Sequence, residues 1–189
     1  MTLLIETPHK VSADELIARL YRTEGKAEIV NGEIVEFMST GDDPSSAAAN
    51  IFVSLKQYER QTKFGRAYTD DVGFLVDLPN RKSFNPDASF FTGERAGMKF
   101  LHGAPVFAVE VRSEADYGPK AERDMAAKRA DYFAAGTKIV WDVDLLSNTP
   151  IRSYSSDDPE NPRSFKRGET ADAEPSLPGW NFPVNELFE

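Results

Sequence analysis

Residues 106–143 constrain the fold more than any other stretch of this chain. Val106-Phe107-Ala108-Val109-Glu110-Val111 is an almost unbroken apolar, β-branched run, the composition of a strand covered on both faces. Gly118-Pro119 opens a helix that runs to about Ala135, Gly136 ends it, and Lys138 to Val143 forms the next strand. Two strands joined through a helix make a β–α–β unit, which fixes a parallel pair and obliges the helix to cover one sheet face.

The flanking sequence adds antiparallel elements. Ala27-Glu28-Ile29-Val30 and Glu33-Ile34-Val35-Glu36-Phe37 flank Asn31-Gly32, the pattern of a hairpin with a two-residue type I′ turn. Ser12-Ala13-Asp14-Glu15 has capping-box spacing and predicts a short helix from about residue 13 to 22. Asp43-Pro44 reads as the start of a long helix whose stripe Ala47, Ala48, Ile51, Phe52, Leu55 and Tyr58 is stopped by Gly65. Val72 to Leu78 and Ser83 to Phe91 read as strands, with Pro86 at a strand start or edge. Ile151 to Tyr154 and Ser164 to Arg167 read as edge strands separated by a polar loop from Ser155 to Pro162, and Leu177-Pro178-Gly179-Trp180 as a turn anchored by its tryptophan. The expected architecture is α/β: a mixed central sheet flanked by helices, with an N-terminal hairpin, and residues 1–189 forming a single domain. It is not a doubly wound nucleotide fold, and no phosphate-loop or dinucleotide glycine motif is present.

Composition narrows the chemistry. With no cysteine, thiolate metal sites, disulfides and a cysteine nucleophile are excluded. His9 and His102 have no neighbouring motif that would make either a ligand or a catalytic base, so both read as surface residues. Any metal chemistry must therefore use carboxylates. No leader pattern and no run near the ~20 apolar residues needed to span a bilayer is present, so the expected location is cytoplasmic and off the membrane. The net charge of −9 argues against general affinity for nucleic acid and requires any polyanion to meet a local basic patch or a bound cation.

Glu110 is the sharpest anomaly, because a carboxylate inside a buried strand demands a compensating charge. Strand alternation places Val106, Ala108, Glu110 and Arg112 on one face, so a structural Glu110–Arg112 pair is one reading. The other is a metal ligand. Asp87 precedes Glu110 by enough chain to return on an adjacent strand, and two carboxylates with open positions suit Mg²⁺ or Mn²⁺. On the following helix Ala121, Met125, Lys128, Tyr132 and Ala135 share one stripe, which directs Lys128 toward the sheet, unless it pairs with Asp124 or snorkels to solvent. Carboxylates holding a cation beside an ammonium are a set suited to phosphodiester hydrolysis. Asp142 and Asp144 read first as solvent-facing or structural. Lys56, Arg60 and Lys63, with Arg66 beyond, form a basic edge that is either a solvated helix face or a seat for a phosphate backbone.

Pro86-Asp87, Phe107 to Ser113, Arg123-Asp124 through Tyr132, Ala135-Gly136 and Val140-Trp141 to Asp144 together resemble the Uma-two family, placed in the PD-(D/E)XK restriction-endonuclease-like superfamily. The likeness extends from the Glu28–Glu36 hairpin to Leu187-Phe188. It implies a restriction-endonuclease-like fold, Asp87 and Glu110 as metal-binding acids, and a lysine role moved from the motif position, here Arg112, to Lys128. Glu33 matches an acidic family position and is a further candidate ligand, against its reading as a solvent-facing strand residue. Two departures stand out: Ser45-Ser46-Ala47-Ala48-Ala49 replaces a region where many relatives carry a histidine, and Glu114 follows Ser113 where a proline is usual.

The resulting expectation is a Mg²⁺- or Mn²⁺-dependent endonuclease on DNA. Asp87, Glu110 and Lys128 are its catalytic set, Lys56, Arg60, Lys63 and Arg66 hold the backbone, and a homodimer presents two sites to a duplex. The alternative is a non-catalytic regulatory or protein-binding module on the nuclease fold.

Overall fold

The computed structural model describes residues 11–189, so His9 lies outside the described residues. Helix α1 (Ala13–Leu20) is capped by Ser12, whose hydroxyl accepts the Glu15 amide at 3.2 Å. It ends slightly before the position read from the sequence and lays Leu16 and Leu20 on Ala27 and Ile29 of the hairpin formed by β1 (Ala27–Val30) and β2 (Glu33–Glu36). Asn31 and Gly32 both take positive φ, as the two-residue turn requires.

Helix α2 (Asp42–Thr62) begins one residue before the expected Asp43 cap, with Gly41 as its N-cap, and stops at a left-handed Lys63. Gly65 serves a different purpose from the helix stop read in the sequence. A Cβ there would stand 2.5 Å from the Phe91 carbonyl oxygen, so only glycine lets the chain pass this close.

The chain continues through β3 (Arg66–Thr69), β4 (Phe74–Leu75), β5 (Ser83–Phe84), β6 (Ala88–Phe91), β7 (Leu101–His102), β8 (Phe107–Val111), α3 (Pro119–Ala134) and β9 (Ile139–Val143). It closes with β10 (Ile151–Ser155), β11 (Asp158–Phe165), β12 (Thr170–Asp172), β13 (Asn181–Pro183) and a 3₁₀ turn at Val184–Phe188.

Three strand expectations are corrected. The Val72–Leu78 strand contracts to β4, which pairs with β5 and β7 in a small sheet of its own. The Ser83–Phe91 strand splits into β5 and β6, which belong to different sheets; Pro86 lies in the break and has no N–H to continue a ladder. The polar loop and short strand after Tyr154 are instead one edge strand, β11, exposed along most of its length and therefore tolerant of Pro159 and Pro162.

The central sheet has the order β11-β10-β9-β8-β6-β3, with β8 and β9 parallel and their neighbours antiparallel. Mixed α/β architecture is thus as expected. One face of β8 and β9 presents Phe107, Val109, Val111, Trp141 and Val143 to Ile51 and Leu55 of α2 and to Trp180 and Phe182 from the closing segment. Phe107, Trp141 and Trp180 pack with ring centroids 5.1–5.5 Å apart. The other face presents Ala108 and Val140 to Tyr132 of α3 and to Phe74, Phe84 and Phe91. Glu110 lies on this second face, under the crossover helix. Among the described residues no helix is long and apolar enough to cross a membrane.

Candidate active site

Asp87 stands at the entry to β6, where its amide donates to the Val109 carbonyl at 3.0 Å. The Val111 amide in turn donates to Asp87 Oδ2 at 2.7 Å. These two bonds lock Asp87 against the end of β8, beside Glu110. The antiparallel β6–β8 register therefore brings together two acids far apart in sequence.

Lys128 reaches the same place from α3. Its ammonium lies 2.8 Å from Glu110 Oε1 and 2.9 Å from Glu28 Oε1, and the side chain is 15% exposed. It neither pairs with Asp124, which bonds Lys120 instead, nor extends to solvent. Tyr132, one helical turn further along α3, donates its hydroxyl to the same Glu110 oxygen at 2.7 Å and stacks on Phe84 with centroids 4.0 Å apart. The helical stripe thus delivers both an ammonium and a phenol to Glu110.

Glu28 is a member of the cluster that the sequence reading passed over. It is 1% exposed and bonded to Arg81 and to the Asn85 amide at 2.9 Å as well as to Lys128. The signal was available, since Glu28 interrupts an apolar hairpin strand just as Glu110 interrupts β8. Lys26, at the hairpin mouth, is a second addition; its ammonium bonds Asp87 Oδ1. Arg81 links the cluster to α3 through Asp131 at 2.8 Å.

The charges shape each group's proton affinity. Burial alone would raise Glu28, but Lys128 and Arg81 outweigh it and hold its pKa below the ordinary value. For Glu110 burial prevails. Its pKa is raised, with the negative charges of Asp87 and Glu28 adding to the effect and Lys128 and Lys26 only partly offsetting it. Lys128 is raised, because Glu110 and Glu28 overcome the desolvation that would lower it, so it stays an ammonium. Tyr132 is raised well above its usual value by burial and the adjoining carboxylates, so it remains a donor.

The structure separates other candidates from this cluster. The possible Glu110–Arg112 pair is not formed. Arg112 forks onto Asp142 at 2.8 and 2.9 Å and bonds Glu122, leaving Glu110 to Lys128. Asp142, read first as solvent-facing or structural, is 1% exposed and also accepts Arg129 and Arg152, which makes it the hub of a buried ion network. Glu33 shares the Glu28 face of the hairpin by register, but it is exposed at the turn end and belongs to none of these ion pairs. His102 is exposed on β7.

The basic edge is rearranged as well. Lys56 bonds both oxygens of Glu59 at 2.8 and 2.9 Å, Lys63 occupies the left-handed cap of α2 and Arg66 begins β3. Next to Asp87 a cavity of about 130 Å³ is lined by Thr40, Ser45, Ala48, Thr69, Asp70 and Val111. It opens from the start of α2, the segment of small residues noted in the sequence.

Whether the site suits a divalent cation can be judged from its donors. Among the described residues no three acidic or histidine side chains converge into a closed cage. Asp87 nevertheless lies near enough to Glu110 for its charge to add to the burial that raises the Glu110 pKa, and Glu110 Oε2 takes part in none of the bonds above. Two carboxylates with water completing the shell fit Mg²⁺ or Mn²⁺, which keep several waters.

Comparison with known proteins agrees with this architecture. A crystal structure from Anabaena variabilis ATCC 29413, described as "a putative nuclease belonging to DUF820", superposes with a TM-score of 0.71 at 15% identity, over 92% of this chain and 97% of that one. No curated protein matches the chain. Residues 13–185 match a family described as "Putative restriction endonuclease", and on that extent the chain belongs to the Uma2 family.

Proposed function

We propose that the protein is a Mg²⁺- or Mn²⁺-dependent endonuclease that hydrolyses phosphodiester bonds in DNA, with Asp87 and Glu110 as metal ligands and Lys128 as the charge-stabilising residue. The observation that carries this reading is geometric: Asp87 is fixed on the Val111 amide at the end of β8, next to Glu110, and Lys128 lies 2.8 Å from Glu110. Membership of a family of restriction-endonuclease description supports the reaction class.

When bound, the divalent cation supplies Lewis-acid activation of the phosphodiester and of an attacking water. The Val111 amide keeps Asp87 oriented, and the Tyr132 hydroxyl and Lys128 ammonium fix the Glu110 rotamer and leave Oε2 available. Lys128, charged and largely shielded from water, offsets negative charge that grows on the phosphate. The cavity beside Asp87, which Glu110 and Lys128 do not line, leaves room for water or substrate groups on the Asp87 side of the site. Arg60, Lys63 and Arg66 hold the backbone without reading bases, and a homodimer would set two such sites across a duplex.

A second reading has one observation in its favour. Lys26 and Lys128 each cover a carboxylate of the cluster, so the pocket can persist as an ion network in a non-catalytic binding module. Calorimetric titration with Mn²⁺, run beside a metal-dependent plasmid-cleavage assay, separates the two. Heat in the wild type, lost in Asp87→Ala and in Glu110→Ala, is the expected result. Cleavage should disappear in Lys128→Met even at Mn²⁺ concentrations high enough to displace a proton from Glu110 and load the site. Equal heat in all three proteins, or absence of heat in the wild type that removal of the Lys26 charge does not restore, would remove the metal site.

A further inference from the structure

The hairpin contributes an ammonium whose position raises a question of competition. Lys26 follows a turn at Gly25, and its carbonyl accepts the Phe37 amide at 2.9 Å, so the hairpin ladder extends one pair beyond β1 and β2. The register puts Lys26, Glu28 and Phe37 on one hairpin face. Glu28 takes the deep position against Lys128 and Arg81, and Lys26 takes the outer one, with its ammonium on Asp87 Oδ1. That is the oxygen the Val111 amide leaves free.

The two lysines of the cluster differ in what holds them. Lys128 lies between two carboxylates, and moving it would strand Glu28 and Glu110 together. Among the described residues Lys26 forms an ion pair only with Asp87, though its charge also acts on Asp70 and Glu110; both side chains of the pair are 19% exposed, and Asp87 lines the cavity. A flexible four-carbon stem can swing such an ammonium into water without disturbing the ladder beneath it. The ring of Phe37, 5.9 Å from the Lys26 ammonium and 5.5 Å from that of Lys128, forms part of the outer wall here. A divalent cation on Asp87 and a lysine ammonium on the same oxygen would repel each other at contact distance.

We propose that Lys26 is an internal competitor for the divalent cation: its ammonium occupies Asp87 while the metal is absent, and its displacement sets the cation concentration at which the site loads. The proposal rests on the reading of Asp87 as a metal ligand, and it adds a regulatory threshold to that site. Lys26 is on this account a positioning residue that acts through Asp87.

The test is calorimetric Mn²⁺ titration of the full chain as wild type, Lys26→Met, Lys26→Gln and Lys26→Arg. Lys120→Gln is the control for net charge, because Lys120 is a surface residue whose one ion pair among the described residues is with Asp124. Loss of the competing charge should tighten Mn²⁺ binding about tenfold in Lys26→Met and Lys26→Gln, the scale of a partly buried ion pair. Lys26→Arg and Lys120→Gln should stay near the wild type. Thermal melting gives an independent readout: metal-free Lys26→Gln should melt below the wild type and gain more from added Mn²⁺. Wild-type binding with unchanged or weaker affinity in both neutral variants would overturn the competitor role and leave the metal site standing. Equal tightening in Lys120→Gln would reduce the effect to net charge and overturn it as well. Absence of Mn²⁺ heat in the wild type and in both neutral variants would overturn the metal-site reading and this proposal together.

Discussion

Replacing Lys128 with methionine retains most of the side chain's volume and deletes the ammonium that separates Glu28 from Glu110. Glu28 loses the larger of its two counter-charges but keeps Arg81 and the Asn85 amide, whereas Glu110 is left with the Tyr132 hydroxyl. The penalty has a ceiling, because Glu110 can take up a proton. For a carboxyl of ordinary value 4.5, neutralisation near pH 7 costs about 3.4 kcal/mol at about 1.36 kcal/mol per unit. Glu110 is already raised by burial, so part of that cost is present in the wild type and the expected loss lies below this ceiling. A carboxyl whose folded value is raised loses stability as pH climbs from its unfolded value through its folded one. The deficit of Lys128→Met should therefore be small at pH 4.5 and fully developed near neutrality. Urea denaturation of both proteins at those two pH values measures it. Adding Glu110→Gln to Lys128→Met removes the stranded charge and should recover at least about 1 kcal/mol near neutrality. A neutral-pH deficit under about 1 kcal/mol, or one that does not shrink in acid, would refute the assignment of Lys128 as the counter-charge of Glu110.

Glu28 titrates in the opposite sense. Its folded value is lowered despite burial, so it contributes stability above 4.5 that is lost as pH falls through the folded value, and Glu28→Gln should flatten the acid limb of a stability–pH curve. Arg112→Lys, which cannot reproduce the fork on Asp142, should lower stability by about 2–4 kcal/mol in urea unfolding. Its Mn²⁺ affinity should remain that of the wild type, because Arg112 does not reach the Asp87–Glu110 site; a lost metal heat in the folded variant would contradict this. On the basic edge, Arg60→Gln with Lys63→Gln should lower the slope of log affinity for duplex DNA against log salt by about 1.8, at about 0.9 per phosphate contact. Lys56→Ala should leave that slope unchanged in fluorescence anisotropy, since Glu59 already holds the Lys56 ammonium.

The elements that local chemistry governs could be read without coordinates. Asn31-Gly32 fixes the hairpin turn, the apolar run before Gly118-Pro119 fixes the β–α–β unit, and the phase of α3 fixes the direction of Lys128 and Tyr132. These depend on dihedral preferences and on periods of 2 and 3.6, which a single segment carries within itself. Partner choice is different in kind. Arg112 shares a strand face with Glu110, yet it turns to Asp142 because the parallel β8–β9 register places that buried carboxylate beside it and Lys128 already serves Glu110. Glu28 and Lys26 enter the cluster only because the hairpin docks across β5 and the segments on either side of it, where Arg81, Asn85 and Asp87 await them. A sequence specifies which charges will be buried, whereas the pairing among them depends on distances of a few ångströms between segments far apart in the chain. Only the packed sheet, with its register and its crossover helix in place, sets those distances.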